Sequence, residues 1–398
     1  MSAFEAVNAA ITNLGGDTRF FSEYWDKRHG FVSAGESGFV GAGAMVDELS
    51  HFLDRTDIRY PSLRLVKDGI EVPINEYTRE LRLGNHTSHD WIVNEQAFAY
   101  YNSGSTIILQ MLQHSVPNFG AASNALERRF EANVQLSSFI TPPEAQGFTA
   151  HYDTYSFFAI QLFGSKRWSL YDNTPQLPVR DDRDEDNQWI AVPATAELTL
   201  NPGDILFISR GLYHSAKTSS CPSVHMTVGV FSPNWLDVFR DSIPALTSEE
   251  QYRMSVPRST FTVPSAIQSK VRNDMNLGLG LQLTKDRVFN RHIDSRVDRL
   301  ADLLCLGSRK FTALERQDVP FALSHDAKTT RLRFCGKELE FPVLVRELIE
   351  FICTHQGLFR TESLPPVIDF ESLDPFLAHL IQEGFLRTIC SNKDGLFE

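Results

Sequence analysis

Residues 139–171 read FITPPEAQGFTAHYDTYSFFAIQLFGSKRWSLY, and the fold turns on how this stretch is parsed. The run Val134 to Ile140 is short and β-prone, and Thr141-Pro142-Pro143 breaks it, because proline cannot donate to a sheet ladder. Ser156 to Phe163 predicts a strand ended by Gly164, and Lys166 to Tyr171 alternates polar and apolar residues, the period of a half-buried strand. Further on, Ala196 to Leu200 leads into Asn201-Pro202-Gly203-Asp204. Proline then glycine at the two central positions is a type II turn signature. Asp204 to Ser209 and Val224 to Phe231 predict further strands. Short strands at this spacing with Pro/Gly turns imply a β-sandwich or jelly roll.

Outward from that core the character changes. Residues 1–60 read as helices and loops, and Asn94 to Leu112 as a helix followed by a strand. From Pro233 to about Leu306 the spacing is helical with charged faces. Beyond Arg331 the apolar-periodic segments Pro342 to Thr354 and Leu373 to Gly384 suggest helix, helix and wing. A chain of 398 residues exceeds what one core usually organises. Three units are expected: 1–232, β-rich with an N-terminal helical elaboration; 233–325, helical; and 326–398, winged-helix-like.

His151-Tyr152-Asp153 follows the loop Gly147-Phe148-Thr149-Ala150. In an extended chain, residues two apart project to one side, so His151 and Asp153 can approach one ion. His214 is the best third ligand. It follows a turn, a hydrophobic strand and the glycine-containing loop Arg210-Gly211-Leu212-Tyr213. Two imidazoles and one carboxylate suit non-haem iron(II) and leave coordination positions open for small ligands. A second His-x-Asp, His292-Ile293-Asp294, lies in a predicted helix, where residues two apart do not face each other, and is not expected to bind metal. Lys166 lies on the next strand and can hold the far carboxylate of a 2-oxo diacid, while alternation sends Arg167 to the opposite face. His225 lies inside a strand and reads as a satisfied core or supporting histidine, with Thr227 on its face.

Lys and Arg total 38 against 50 Asp and Glu, a formal charge of −12. Nothing global attracts nucleic acid or anionic lipid, whereas a basic partner is compatible. The run Asp181 to Asp186 reads as a solvated acidic loop. Five scattered cysteines without a CxxC pair fit reduced thiols, and no run of eighteen apolar residues appears. No signal-peptide pattern is present at the N-terminus, and a cytoplasmic location is expected.

Thr141-Pro142-Pro143, Gln146-Gly147-Phe148, His151-Tyr152-Asp153, Gln161-Leu162, Gly164, Lys166-Arg167-Trp168, Pro202-Gly203-Asp204 and His214 together resemble the JmjC ribosomal oxygenases, or cupin-4 family. Ser62 to Gly69 also resembles it. The resemblance implies an α+β protein: a double-stranded β-helix (JmjC/cupin jelly roll) core, then a helical dimerisation domain and a C-terminal winged helix. It implies iron(II) held by His151, Asp153 and His214, 2-oxoglutarate held by Lys166, hydroxylation of a side chain in a protein or peptide such as a basic ribosomal protein, release of succinate and CO2, and a homodimer. The family often has Asn and, two residues on, Tyr on the strand before Thr141-Pro142-Pro143. This chain has Ser137 and Phe139, both inward if the strand alternates, so Ser137 and Thr227 are candidate cosubstrate contacts. The same chemistry on a metabolite or precursor peptide, and a non-catalytic cupin/winged-helix binding module, stay open as alternatives.

Overall fold

A computed structural model describes residues 2–171, 177–179, 192–247, 250–254, 269–271, 275–289, 306, 311, 313–317, 319, 321–335 and 337–388. The acidic run at 181–186 and the second His-x-Asp at 292–294 lie outside the described residues. The chain divides into two compact units, Met1–Ser232 and Pro233–Glu398.

The first unit contains β1 (Gly30–Val32), β2 (Leu63–Lys67), β3 (Ile70–Glu71), β4 (Thr78–Leu83), β5 (His86–Ile92), β6 (Thr106–Leu109), β7 (Asn133–Thr141), β8 (Ser156–Phe163), β9 (Lys166–Tyr171), β10 (Ala196–Leu200), β11 (Ile205–Ile208), β12 (Tyr213–Thr218) and β13 (Ser223–Phe231). Eight of them form one sheet in the order β1-β11-β8-β13-β7-β6-β2-β3, and β10-β9-β12 form a second; β4 and β5 pair as a hairpin. This is the expected jelly roll.

The large sheet has two different faces. On one, Val134, Leu136, Phe158, Ile160, Leu162, Met226, Val228 and Val230 join the main apolar core. Helices Ala3–Asn13, Ala42–Leu53 and Pro117–Phe130 contribute to that core. The first has a Ser2/Glu5 capping box and buries Ala3, Ala6, Val7, Ala10 and Ile11, one stripe at helical spacing. On the other face, Phe157, Ala159, Leu206 and Ile208 meet Trp168, Leu170 and Leu200 of the smaller sheet. This second cluster fills the roll's interior.

Turns hold the roll closed. Gly203 has φ +92°, and Asp204 N–H donates to the Asn201 carbonyl at 2.9 Å, as the Pro-Gly pair requires. The Asp204 carboxylate accepts from Asn201 N and Ala34 N, each at 2.8 Å, tying β11 to the N-terminal segment. The helix and strand expected from Asn94 are Asn94–Asn102 and β6. Several strands were not anticipated: β1, only three residues long, pairs with β11 inside the segment read as helices and loops, and β2 to β5 and β12, which carries His214, were not read as strands either.

In the second unit, helices Trp235–Leu246 and Leu277–Phe289 pack together. Gly280 permits the approach, since a Cβ there would lie 1.8 Å from Ser242 Oγ. Beyond them are a sheet of β14 (Ala313–Arg316) between β18 (Leu358–Arg360) and β19 (Leu386–Thr388), and another of β15 (Phe321–His325), β16 (Thr329–Phe334) and β17 (Lys337–Pro342). Helices Arg346–Thr354 and Phe370–Gln382 share one apolar core with these strands. Helices stand where Pro342 to Thr354 and Leu373 to Gly384 predict them, whereas β14 and β15 are strands inside 233–325, the span expected to be helical. The β15-β16-β17 sheet is an addition to the helix-helix-wing expectation.

Candidate metal centre

His151 lies in an isolated antiparallel bridge with His214, and the same two chain segments bridge again at Gln146 and Lys217. Each backbone N–H donates to the other's carbonyl, at 3.1 and 2.8 Å. Asp153 lies in irregular chain just before β8, so the local support is a bridge and a turn rather than the continuous strand argued from alternation. Gly211 N–H donates to the Asp153 carbonyl at 2.8 Å, which pins that turn to the loop carrying His214. Arg210 braces the loop through an ion pair with Asp26 at 2.7 Å.

The three side chains converge: one donor atom from each of His151, Asp153 and His214 lies within 4.8 Å of the others. Among the described residues this is the one His/Cys/Asp/Glu group so arranged. Each imidazole Nδ1 faces a nearby carbonyl, His151 that of Thr149 at 2.8 Å and His214 that of Leu212 at 3.0 Å. A carbonyl only accepts, so each Nδ1 carries the proton and each Nε2 lone pair is free. His214 Nε2 lies 3.7 Å from Asp153 Oδ2. That approach is no ion pair, because burial, followed by the neighbouring His151, pulls the His214 pKa down to about 3. The imidazole is neutral, the protonation state a metal ligand needs. The donor set therefore fits a divalent transition metal.

Lys166 begins β9 and is buried, 3% exposed, with Arg167 outward as alternation requires. Its ammonium donates to Thr141 Oγ1 at 3.0 Å, and among the described residues no carboxylate lies within ion-pair distance. Thr141 Oγ1 also accepts from Thr106 at 3.1 Å. Burial alone pulls the Lys166 pKa down to about 7. A buried cation without an anion is costly, and it marks a place where an anionic ligand is complementary.

Two further buried side chains, His225 and Trp168, contact these groups. His225 is 3% exposed, stacks on Phe139 at 4.9 Å with nearly parallel rings, and meets the Trp168 edge at 5.4 Å. Burial, then the fields of Lys166 and His214, drive its pKa well down, so it is neutral. The expectation of a satisfied histidine is corrected here: Nδ1 has no hydrogen-bond partner, and neither do Trp168 Nε1 and Gln161 Oε1. Trp168 also stacks on His214 at 5.9 Å, which links the Lys166 end to the His-Asp-His end. Ser137 and Thr227 sit opposite each other in the β7-β13 register, on the face that carries Phe139 and His225. Ser137 accepts from Gln135 at 3.4 Å.

Sequence reasoning passed over Thr141 and Tyr155. Thr141 stood in plain view as the first residue of Thr141-Pro142-Pro143. The Tyr155 hydroxyl donates to the Asp153 carboxylate, and desolvation raises its pKa far above the ordinary value. The two-residue spacing that pairs His151 with Asp153 extends to Tyr155, and could have found it.

Comparison with known proteins adds an independent view. Residues 114–238 match the JmjC domain family. The chain is 25% identical over 297 residues to the bifunctional lysine-specific demethylase and histidyl-hydroxylase NO66 of Culex quinquefasciatus, covering 71% of this chain and 44% of that protein. It is 39% identical over 124 residues to ribosomal oxygenase 2 of Rattus norvegicus, covering 30% and 26%. The chain thus spans less than half the length of these curated relatives. Among solved structures, E. coli YcfD superposes with a TM-score of 0.57 at 18% identity, over 94% of this chain and 98% of that one. YcfD in complex with cobalt and 2-oxoglutarate gives 0.54 at 17% identity, over 93% and 97%. The structural likeness shows a shared fold.

Proposed function

We propose that this chain, whose residues 114–238 match the JmjC domain family, is an iron(II)- and 2-oxoglutarate-dependent oxygenase similar to the ribosomal oxygenases. The observation that carries the reading is the convergence of His151, Asp153 and His214 within 4.8 Å, with both imidazoles holding a free Nε2. In this reading those three residues hold iron(II), and Lys166 pairs with the distal carboxylate of 2-oxoglutarate. When bound, the metal would activate dioxygen, the oxidant: one oxygen atom would go into succinate as 2-oxoglutarate loses CO2, and the other into an unactivated C–H bond of the substrate.

The chain's own residues prepare the place. Thr149 and Leu212 carbonyls hold the imidazole tautomers. Thr141 orients the Lys166 ammonium, which turns from an uncompensated charge into half of a buried ion pair when a dicarboxylate enters. His225 Nδ1 and Trp168 Nε1 are available to polar atoms of a ligand, and Ser137 and Thr227 line the same face. Phe157, Trp168 and Leu170 exclude water from the interior.

The substrate class is a side chain of a protein or peptide. Relatives named as a histidyl-hydroxylase and as a ribosomal oxygenase support this, and a net charge of −12 is compatible with a basic partner. The chain assembles as a homodimer through the helix Trp235–Leu246. Trp235, Leu236, Phe239 and Ile243 are exposed along one stripe, beside the buried Val238 and Ser242. A winged helix lies within residues 326–398, for which the helices Arg346–Thr354 and Phe370–Gln382 and the strands β18 and β19 are the support; the strand between them, β14, comes from before that span.

The test is turnover. With iron(II), 2-oxoglutarate and dioxygen, the wild type forms succinate, and intact-mass measurement across ribosomal proteins and peptides finds a +16 Da product. Succinate formation retained in His151→Ala would sink the assignment. Phe239→Glu should shift the sedimentation of the full chain from dimer to monomer.

A further inference from the structure

Tyr155 occupies the bend between Asp153 and β8, and its placement is over-determined. Its ring stacks on Phe231 with centroids 4.3 Å apart, and Phe157 flanks it at 6.4 Å. Phe231 ends β13, two residues beyond Gly229, and that glycine leaves the ring its room. A Cβ at Gly229 would sit 3.0 Å from Tyr155 Cε2 and 3.3 Å from Cδ2. With the ring so held, the phenol reaches the Asp153 carboxylate and donates to it. The Asp153 main chain is held separately, by Gly211 N–H. Backbone and side chain of one residue are thus fixed from two sides.

We propose that Tyr155 is a positioning residue for a transition-metal site: its hydroxyl fixes the rotation of the Asp153 carboxylate so that this group meets His151 and His214 already aligned. The inference rests on the metal-site reading above. A carboxylate on a turn has freedom about two side-chain torsions, and a hydrogen bond from a ring packed on Phe231 restricts it. Partners of this kind, one step out from a metal, typically contribute 10–100-fold in metal affinity. The contribution is to pre-organisation, so it should be visible in binding of the metal alone.

The experiment is titration of the full metal-free chain with cobalt(II), read by its visible d–d absorption and by chelator competition. Wild type, Asp153→Ala, Tyr155→Phe, Gly229→Ala and the Tyr155→Phe/Gly229→Ala double variant are compared. Tyr155→Phe keeps the stack on Phe231 and removes only the hydroxyl. The expected result is roughly tenfold or greater weakening of cobalt affinity, an altered d–d band, and an unchanged melting midpoint of the metal-free chain. Gly229→Ala should weaken cobalt binding by pushing the ring aside, and should add nothing once the hydroxyl is gone. A merely structural tyrosine would not show that non-additivity. Wild-type cobalt affinity in Tyr155→Phe, or equal effects of Gly229→Ala with and without the hydroxyl, overturns the proposal while leaving the metal site intact. Equal binding by wild type and Asp153→Ala overturns the metal-site reading itself.

Discussion

The two faces of the large sheet are built from the same strands and differ in kind. Outward from the roll, β8 presents Phe158, Ile160 and Leu162, and β13 presents Met226, Val228 and Val230, all buried in the main apolar core. Inward, β8 presents Phe157, Ala159 and Gln161, and β13 presents Ser223, His225, Thr227 and Gly229. The outward set of side chains has no polar atom to satisfy. The inward set, with Lys166 and Trp168 opposite, leaves three polar atoms without partners and one cation without an anion. Burying polar groups this way works against folding, by about 1–3 kcal/mol for each unmade bond. One side of each strand stabilises the fold; the other is complementary to something outside it.

That contrast can be broken most directly at the metal ligands. Asp153→Ala should lower cobalt(II) affinity by well over a hundredfold, more than the 10–100-fold typical of outer partners, with a urea midpoint lowered by no more than the lost Tyr155 hydrogen bond, about 1–3 kcal/mol. Asp153 supports no apolar contact in the main core, so a collapse of the fold would mean that the inner face is structural after all. The mirror experiment lies one strand away. Phe158 is fully buried against Phe20, Phe130 and Phe207, with centroids 5.0–6.2 Å away. Phe158→Ala should cost about 3–5 kcal/mol in urea unfolding while the folded fraction binds cobalt as the wild type does.

How far this division is legible in sequence depends on which property carries it. The His-x-Asp spacing, the Pro-Gly turn before β11 and the alternation that buries Lys166 and exposes Arg167 are local, and local rules find them. His214 is found because a turn, a strand and a glycine loop deliver it. The orphaned Nδ1 of His225 is not local: nothing in Ser223 to Val228 says whether a partner waits across the roll. β1 is too short to show a period and exists because β11 offers it an edge. β16 and β17 did carry a signal. Their residues alternate, and their charges pair across the hairpin, Arg331 with Glu340 at 2.7 Å and Arg333 with Glu338. That signal is cross-strand, and reading each segment alone hides it.

Lys166 sharpens the comparison, because there stability and binding should move in opposite directions. Lys166→Met keeps the stem's bulk and removes a buried charge that has a hydroxyl partner and no anion. The variant should be more stable than the wild type, by about 1–4 kcal/mol on the scale seen when buried ionic groups are replaced by apolar ones. It should also lose 2-oxoglutarate binding. A destabilised Lys166→Met would mean that the ammonium is already compensated within the fold.

The smallest effect is a pH dependence, and its sign follows from the same residue. The Lys166 pKa is about 7 in the folded chain, against an ordinary 10.5. Between those values the unfolded chain binds a proton that the folded chain releases, so this group's contribution makes the fold more stable as pH rises through that window. Binding runs the other way. A dicarboxylate prefers the ammonium form, which prevails below about pH 7. Above it, each pH unit should weaken 2-oxoglutarate binding up to about tenfold, until the raised pKa of the complex is reached. Calorimetry with cobalt(II) in place of iron, in buffers of different ionisation heat, reads this as uptake of up to one proton per ligand bound near pH 8. In a variant that still binds, Thr141→Val, removing the hydroxyl that accepts from Lys166 should leave the uptake in place and weaken binding at every pH. An affinity flat from pH 6 to 9 with no proton uptake would show that the buried ammonium is not what meets the ligand.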